Sequence, residues 1–124
     1  MEAKNLVWGK VRKGSNRGKR LGFPTANIAL HKNIAEGVYV SEVRIDGQKF
    51  QSLAFVGAAK TFAEKNKKVE TYIFNFNKNI YGKWISIKLF EKIRGNIKFT
   101  SEKDLIVQMK KDLQSAKDFY AKSK

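Results

Sequence analysis

Within residues 69–76 and 81–93 side chains alternate between two faces, and beyond Phe99 the period lengthens to that of a helix. This change of period constrains the fold more than any other feature of the chain. Gly37–Ile45 (GVYVSEVRI) is rich in β-branched and aromatic residues, which suit a pleated surface. Asp46-Gly47 supplies the pair favoured in tight hairpins, and residues 49–56 read as the returning strand. Residues 60–68 are polar and loop-like. Residues 69–76 alternate, with Val69, Thr71, Ile73 and Asn75 on one side and Glu70, Tyr72, Phe74 and Phe76 on the other. After an Asn77-Lys78-Asn79 turn, residues 81–93 read as a long strand. Ile85, Ile87 and Leu89 occupy one side of it, opposite Trp84, Ser86, Lys88 and Phe90. Residues 7–11 form a short first strand that leads into a glycine-punctuated loop. Thr100 or Ser101 suits a helix cap, with Glu102 and Asp104 in the first turn, where the helix dipole favours acids. Leu105, Ile106, Met109, Leu113, Ala116 and Tyr120 follow at helical spacing. The pattern predicts a mainly β domain of about six antiparallel strands and one packed C-terminal helix. It forms a single domain over residues 1–124, with the barrel over about 6–99 and the helix over about 101–120. Closing such a sheet into a barrel removes its exposed edges.

Composition narrows the function classes. The 124 residues are 42% hydrophobic, enough for a core, and contain no cysteine, which excludes disulfides, thiolate metal sites and cysteine nucleophiles. No apolar run approaches the roughly 20 residues of a membrane span. The first eight residues lack the apolar centre of a signal peptide. A soluble cytoplasmic protein is expected. The 26 lysines and arginines against 11 acids give a formal charge of +15, which favours anionic partners such as nucleic acid, nucleotides or acidic surfaces. These cations are spread along the chain. Their densest run, Lys65, Lys67 and Lys68, reads as a solvated loop.

The chemistry concentrates in residues 21–28 (LGFPTANI), which hold the lone proline and follow Gly9, Gly14 and Gly18. Thr25 and Asn27, two apart, would point to the same side of an extended segment. Together they offer a hydroxyl and an amide oxygen, hard ligands that suit Mg²⁺ when phosphates complete its shell. Residues 14–20 (GSNRGKR) narrowly miss the P-loop pattern, having three residues between the glycines and Arg20 after Lys19. A glycine-rich turn with Lys19 can still cradle an anion through backbone N–H groups, although a plain surface loop has the same composition. Glu70, among apolar and aromatic residues, is either a partner for one of the many cations or a general base. His31, the lone histidine, reads as a surface residue, and no Ser-His-Asp set can be assembled around it.

The succession of Gly9, Gly14, Gly18, LGFPTANI at 21–28, GVY at 37–39, VET at 69–71, IYG at 80–82 and IR with KF within 93–99 resembles riboflavin kinase. This flavokinase domain also forms the carboxy-terminal half of bacterial bifunctional FAD synthetases. The likeness runs in order from about residue 6 to 116. It implies a six-stranded antiparallel Greek-key barrel with a terminal helix. It implies transfer of the ATP γ-phosphate to the ribityl 5′-hydroxyl of riboflavin, giving FMN and ADP with Mg²⁺ or another divalent cation. By the same resemblance Gly14, Lys19, Thr25 and Asn27 bind ATP, Thr25 and Asn27 hold the metal, and Glu70 is the catalytic base. Arg94, Lys98 and Phe99 belong to a flap over the flavin. The chain departs from the family pattern at Asn75 and Asn79, where aspartates are usual, at Asn96, where an acid is usual, and at Lys60, in place of a proline. The nucleotidyltransferase half has no counterpart here, so FAD is not an expected product. The expected partners are riboflavin and ATP, with no membrane or nucleic acid, and the expected state is a monomer. Two competing readings are a non-catalytic basic barrel that binds nucleic acid through Tyr72, Trp84 and Phe90, and a flavin-binding module without turnover. The PTAN segment with Glu70 discriminates against the first, because nucleic-acid binding needs no metal-ligand pair beside a carboxylate.

Overall fold

The computed structural model describes residues 6–12, 25–58 and 67–122. In chain order the strands are β1 (Leu6–Lys10), β2 (Ala26–Ala29), β3 (Gly37–Ile45), β4 (Gln48–Ala58), β5 (Lys67–Ile73) and β6 (Trp84–Arg94), followed by the helix α1 (Glu102–Lys122). Their order in the sheet is β1-β6-β3-β4-β5-β2, and every pairing is antiparallel. Strands β3, β4 and β5 form a meander, and β6 returns to lie beside β3, which is a Greek key. At the two ends of this order, Arg12 N–H donates to the Asn27 carbonyl at 2.8 Å and draws β1 against β2. The six strands thus make a nearly closed barrel with one C-terminal helix, as the alternating pattern predicted.

Two apolar layers follow from the alternation. Val7, Ile28, Val43, Val56, Val69, Ile85 and Ile87 fill the barrel interior. On the outer face, Val38, Val40 and Leu53 meet Ala116 of α1, with Phe55, Phe74, Phe90, Phe119 and Tyr120 packed around them. Residues of β3 and β4 are therefore buried on both faces, which makes these strands the centre of the molecule. Polar groups inside are matched. Ser41 and Ser52 hydroxyls lie 2.6 Å apart, and Thr71 Oγ1 donates to the Leu53 carbonyl at 3.0 Å.

The local signals act as expected at the hairpin and the helix start. Asp46 (φ 50°) and Gly47 (φ 82°) both adopt the left-handed backbone that a two-residue turn demands. Ser101, rather than Thr100, caps α1, its Oγ accepting from Asp104 N–H at 3.1 Å.

Three readings are corrected. Strand β5 begins at Lys67, inside the stretch read as loop, because Lys67 and Lys68 pair with Ala58 and Gly57 of β4. It ends at Ile73, since Asn75 takes φ 55°, and this reversal turns Phe76 away from the Glu70 face to pack on Phe50 in the inner cluster. Strand β6 begins at Trp84, not Tyr81. Asn79 Oδ1 accepts from Tyr81 N–H at 3.0 Å and Gly82 takes φ 76°, so residues 79–82 are a turn. Asn75 and Asn79, the two departures from the expected aspartates, are thus turn-forming positions at which asparagine is well suited.

Candidate active site

The antiparallel register of β2 and β5 places Asn27 directly opposite Glu70 on the outer face of the barrel. Thr25, two residues before Asn27, lies on the same side, and its hydroxyl donates to Glu70 Oε2 at 3.1 Å. The other carboxylate oxygen, Oε1, lies 3.6 Å from Lys68 Nζ, contributed by the same strand and therefore by the same face. Thr25 and Asn27, singled out in the sequence as a pair, and Glu70, singled out separately, are brought together.

Asn27 is 5% exposed, and its Oδ1 is the one buried side-chain oxygen or nitrogen without a hydrogen-bond partner among the described residues. A buried unmatched amide oxygen costs about 1–3 kcal/mol. Such a group is tolerated where a ligand supplies the missing partner. The donor set, an asparagine oxygen and a threonine hydroxyl whose own proton is held by Glu70, consists of hard oxygens and fits a Mg²⁺-type ion. No group of three or more His, Cys, Asp or Glu that could hold a metal occurs among the described residues, so an ion here would depend on phosphate oxygens to complete its shell. Gly14 and Lys19, expected over the phosphates, lie outside the described residues, as does Lys60.

The register extends this site across the sheet. On one face the row Arg94–Val38–Phe55–Glu70–Asn27 crosses β6, β3, β4, β5 and β2. Arg94 is three strand spacings from Glu70, about 14 Å along the sheet. All three of its guanidinium nitrogens donate there: Nε and Nη2 to both oxygens of Asp112 at 2.9 and 2.7 Å, and Nη1 to the Gly95 carbonyl at 2.9 Å. Gln108 Nε2 donates to Asp112 Oδ1 at 3.0 Å. In this structure Arg94 clamps α1 to the sheet. Lys98, exposed, and Phe99, half-buried, follow it in the segment 95–99 that leaves β6. Of the aromatics considered for stacking on nucleic acid, Phe90 is covered by α1, its ring stacked on Phe119. Trp84 stays exposed, and Tyr72 is half-buried.

The sequence reading missed Asp112, Lys68, Phe55 and Asn96 as participants. Asp112 had a signal: an acid at the centre of the apolar stripe between Met109 and Ala116 needs a buried cation. Lys68 had one too, standing two residues before Glu70 in an alternating strand.

Comparison with known proteins agrees with this architecture. Residues 2–120 match the family model described as "Flavokinase: Riboflavin kinase". The chain is 39% identical over 117 residues to a bifunctional riboflavin kinase/FMN adenylyltransferase of Haemophilus influenzae, covering 92% of this chain and 38% of that protein. Among solved structures, it is similar to a riboflavin kinase from Trypanosoma brucei, with a TM-score of 0.68 and 28% identity over 94% of this chain and 80% of the other. It is also similar to a structure described as a macrolide-efflux protein from Streptococcus pneumoniae, with a TM-score of 0.83 and 36% identity over 90% of this chain and 38% of the other. The chain spans 18% to 39% of the length of the curated relatives it matches. No helix among the described residues is long and apolar enough to cross a membrane.

Proposed function

Because the chain belongs to the riboflavin kinase family, we propose that it transfers the γ-phosphate of ATP to the ribityl 5′-hydroxyl of riboflavin, giving FMN and ADP. The observation that carries this reading is the Thr25 hydroxyl donated to the Glu70 carboxylate, with Asn27 and its unmatched oxygen opposite Glu70 in register. Phosphoryl transfer asks a protein mainly to place the reactants and balance charge. Thr25 and Asn27 would hold a divalent cation together with the phosphate oxygens; the cation, when bound, neutralises charge on the β- and γ-phosphates. Glu70 does the proton work. As the acceptor oxygen bonds to phosphorus and the bond to the bridging oxygen of ADP breaks, the hydroxyl proton passes to the Glu70 carboxylate. Thr25 fixes that carboxylate by donating to Oε2, so Oε1 is the oxygen turned to the acceptor. Its contact with Lys68 is long, which leaves room for a second donor at 2.6–3.2 Å.

The test is direct: incubation of the protein with riboflavin, ATP and Mg²⁺, followed by separation of the flavins. FMN in molar excess over protein is expected. Absence of FMN at any ratio of substrate to protein would overturn the assignment.

A further inference from the structure

Glu70 has neighbours of different chemistry on its two flanks. Toward β2 stand Thr25 and Asn27, the oxygens suited to a cation and phosphates. Toward β4 stands Phe55, followed on the same face by Gly57. The attacking and leaving oxygens lie in line on opposite sides of the transferred phosphorus. With the nucleotide on the β2 flank, an acceptor whose hydroxyl reaches Glu70 must therefore lie on the β4 flank. That flank is bounded by residues 95–99. The segment leaves β6 at Arg94, passes the start of β3 and reaches β4. There Asn96 Nδ2 donates to the Val56 carbonyl at 3.3 Å and lies 3.4 Å from Glu36 Oε1. A Cβ on Gly57 would meet the same nitrogen at 3.6 Å, which sets the Asn96 amide against the outer face of β4. Gly57 in turn pairs with Lys68, whose ammonium faces Glu70. At Gly37, φ is +150°, and a Cβ would fall 2.7 Å from the Arg94 carbonyl, so glycine is required where β3 passes the beginning of this segment.

Building on the riboflavin kinase reading, we infer that Asn96 is a positioning residue for the acceptor substrate: its amide fastens segment 95–99 across β4 and so forms the wall of the acceptor site opposite the phosphates. Both of its contacts require an N–H donor. Aspartate, nearly the same size, would lose the bond to Val56 and set a second carboxylate beside Glu36.

The experiment compares Asn96→Ala, Asn96→Asp, and Asn96→Asp combined with Glu36→Gln, which restores a donor–acceptor pair in the opposite sense. KM is measured separately for riboflavin and for ATP, with a riboflavin titration followed by flavin fluorescence and a melting midpoint for each variant. A lost hydrogen bond weakens binding by roughly 2–10-fold. The riboflavin KM and dissociation constant should rise by about that factor in Asn96→Ala, rise further in Asn96→Asp, and recover in part in the double variant, which regains the contact with residue 36 but not the bond to Val56. The KM for ATP should stay within about twofold. Equal flavin affinity in all three variants, or parallel rises for riboflavin and ATP, would overturn the inference. If the unsubstituted protein binds riboflavin but forms no FMN, the kinase reading falls while the titration still decides the role of Asn96. If it binds no riboflavin, both fall.

Discussion

The two ends of the row Arg94–Val38–Phe55–Glu70–Asn27 obey opposite rules. At the Arg94 end each guanidinium nitrogen has an acceptor. Asp112, 2% exposed, receives two bonds from the guanidinium and a third from Gln108, and the third guanidinium nitrogen, Nη1, donates to a carbonyl. At the other end the Asn27 oxygen is buried without a partner and the Glu70 side chain is 29% exposed. A matched buried pair fixes how α1 sits on the sheet, although its net contribution to stability is small after desolvation. An unmatched oxygen costs stability and is retained where it meets a ligand. Under the proposed function, the contrast means that structural and chemical duties are separated by two strands of apolar surface, Val38 and Phe55, on one continuous face.

The largest expected effect lies at the chemical end. Glu70→Gln keeps the size and removes the proton acceptor, so turnover should fall by about 10²–10⁴-fold with riboflavin affinity little changed. The unfolding midpoint in urea should stay close to that of the unsubstituted protein, because Glu70 is only partly buried and glutamine can still accept from Thr25. A variant with normal turnover would erase the difference between the two ends.

Next in size comes the structural end. Asp112→Ala strands a guanidinium that is 15% exposed and should cost about 3–5 kcal/mol in urea unfolding. Asp112→Asn, which keeps the shape and one acceptor, should cost less. A loss below about 1 kcal/mol for the alanine variant would mean that the pair does not hold α1.

Much of the fold was legible because it rests on local rules. The alternation in Gly37–Ile45, the Asp46-Gly47 turn and the Ser101 cap each depend on neighbours in sequence. Thr25 and Asn27 were legible as a pair because extended backbone sends alternate residues to one side. Two of the misses share a cause, which is distance along the chain. Asp112 is explained by Arg94, 18 residues away, and Asn96 by Glu36, 60 residues away. Phe76 was assigned to the wrong face because a left-handed asparagine at 75 reverses the alternation, and asparagine in an otherwise regular strand carries that signal weakly. Lys67 and Lys68 read as loop because lysine is depleted in strands, yet pairing with β4 outweighs propensity there.

A smaller effect separates cost from use at Asn27. Asn27→Ala removes the unmatched oxygen, and that relief offsets the lost packing, so stability should change by less than about 1 kcal/mol. The same substitution should raise the KM for ATP by roughly tenfold, read from steady-state rates at saturating riboflavin. Stability lost by more than about 3 kcal/mol would show that the residue belongs with the structural end instead.

The smallest effect concerns the far turn of α1. Tyr120 O–H donates to the Ser41 carbonyl of β3, and burial, followed by the nearby Glu42 carboxylate, pushes its phenol well above the ordinary value of 10.0. A folded-state value above the unfolded one means that the unfolded chain releases the proton first. The stabilisation is therefore complete below about pH 10 and declines as pH rises beyond it, by up to about 1.4 kcal/mol per pH unit for this group. Tyr120→Phe should cost about 1 kcal/mol at neutral pH and flatten that alkaline decline. Urea unfolding at pH 8 and above pH 10 measures both. Tyr39, whose phenol is also raised by burial, contributes a decline of its own, so some slope remains in the variant. If the variant lost stability with pH as steeply as the unsubstituted protein, the Tyr120 contact would not be part of what secures the helix to the sheet, and the matched end would reduce to the Arg94–Asp112 pair.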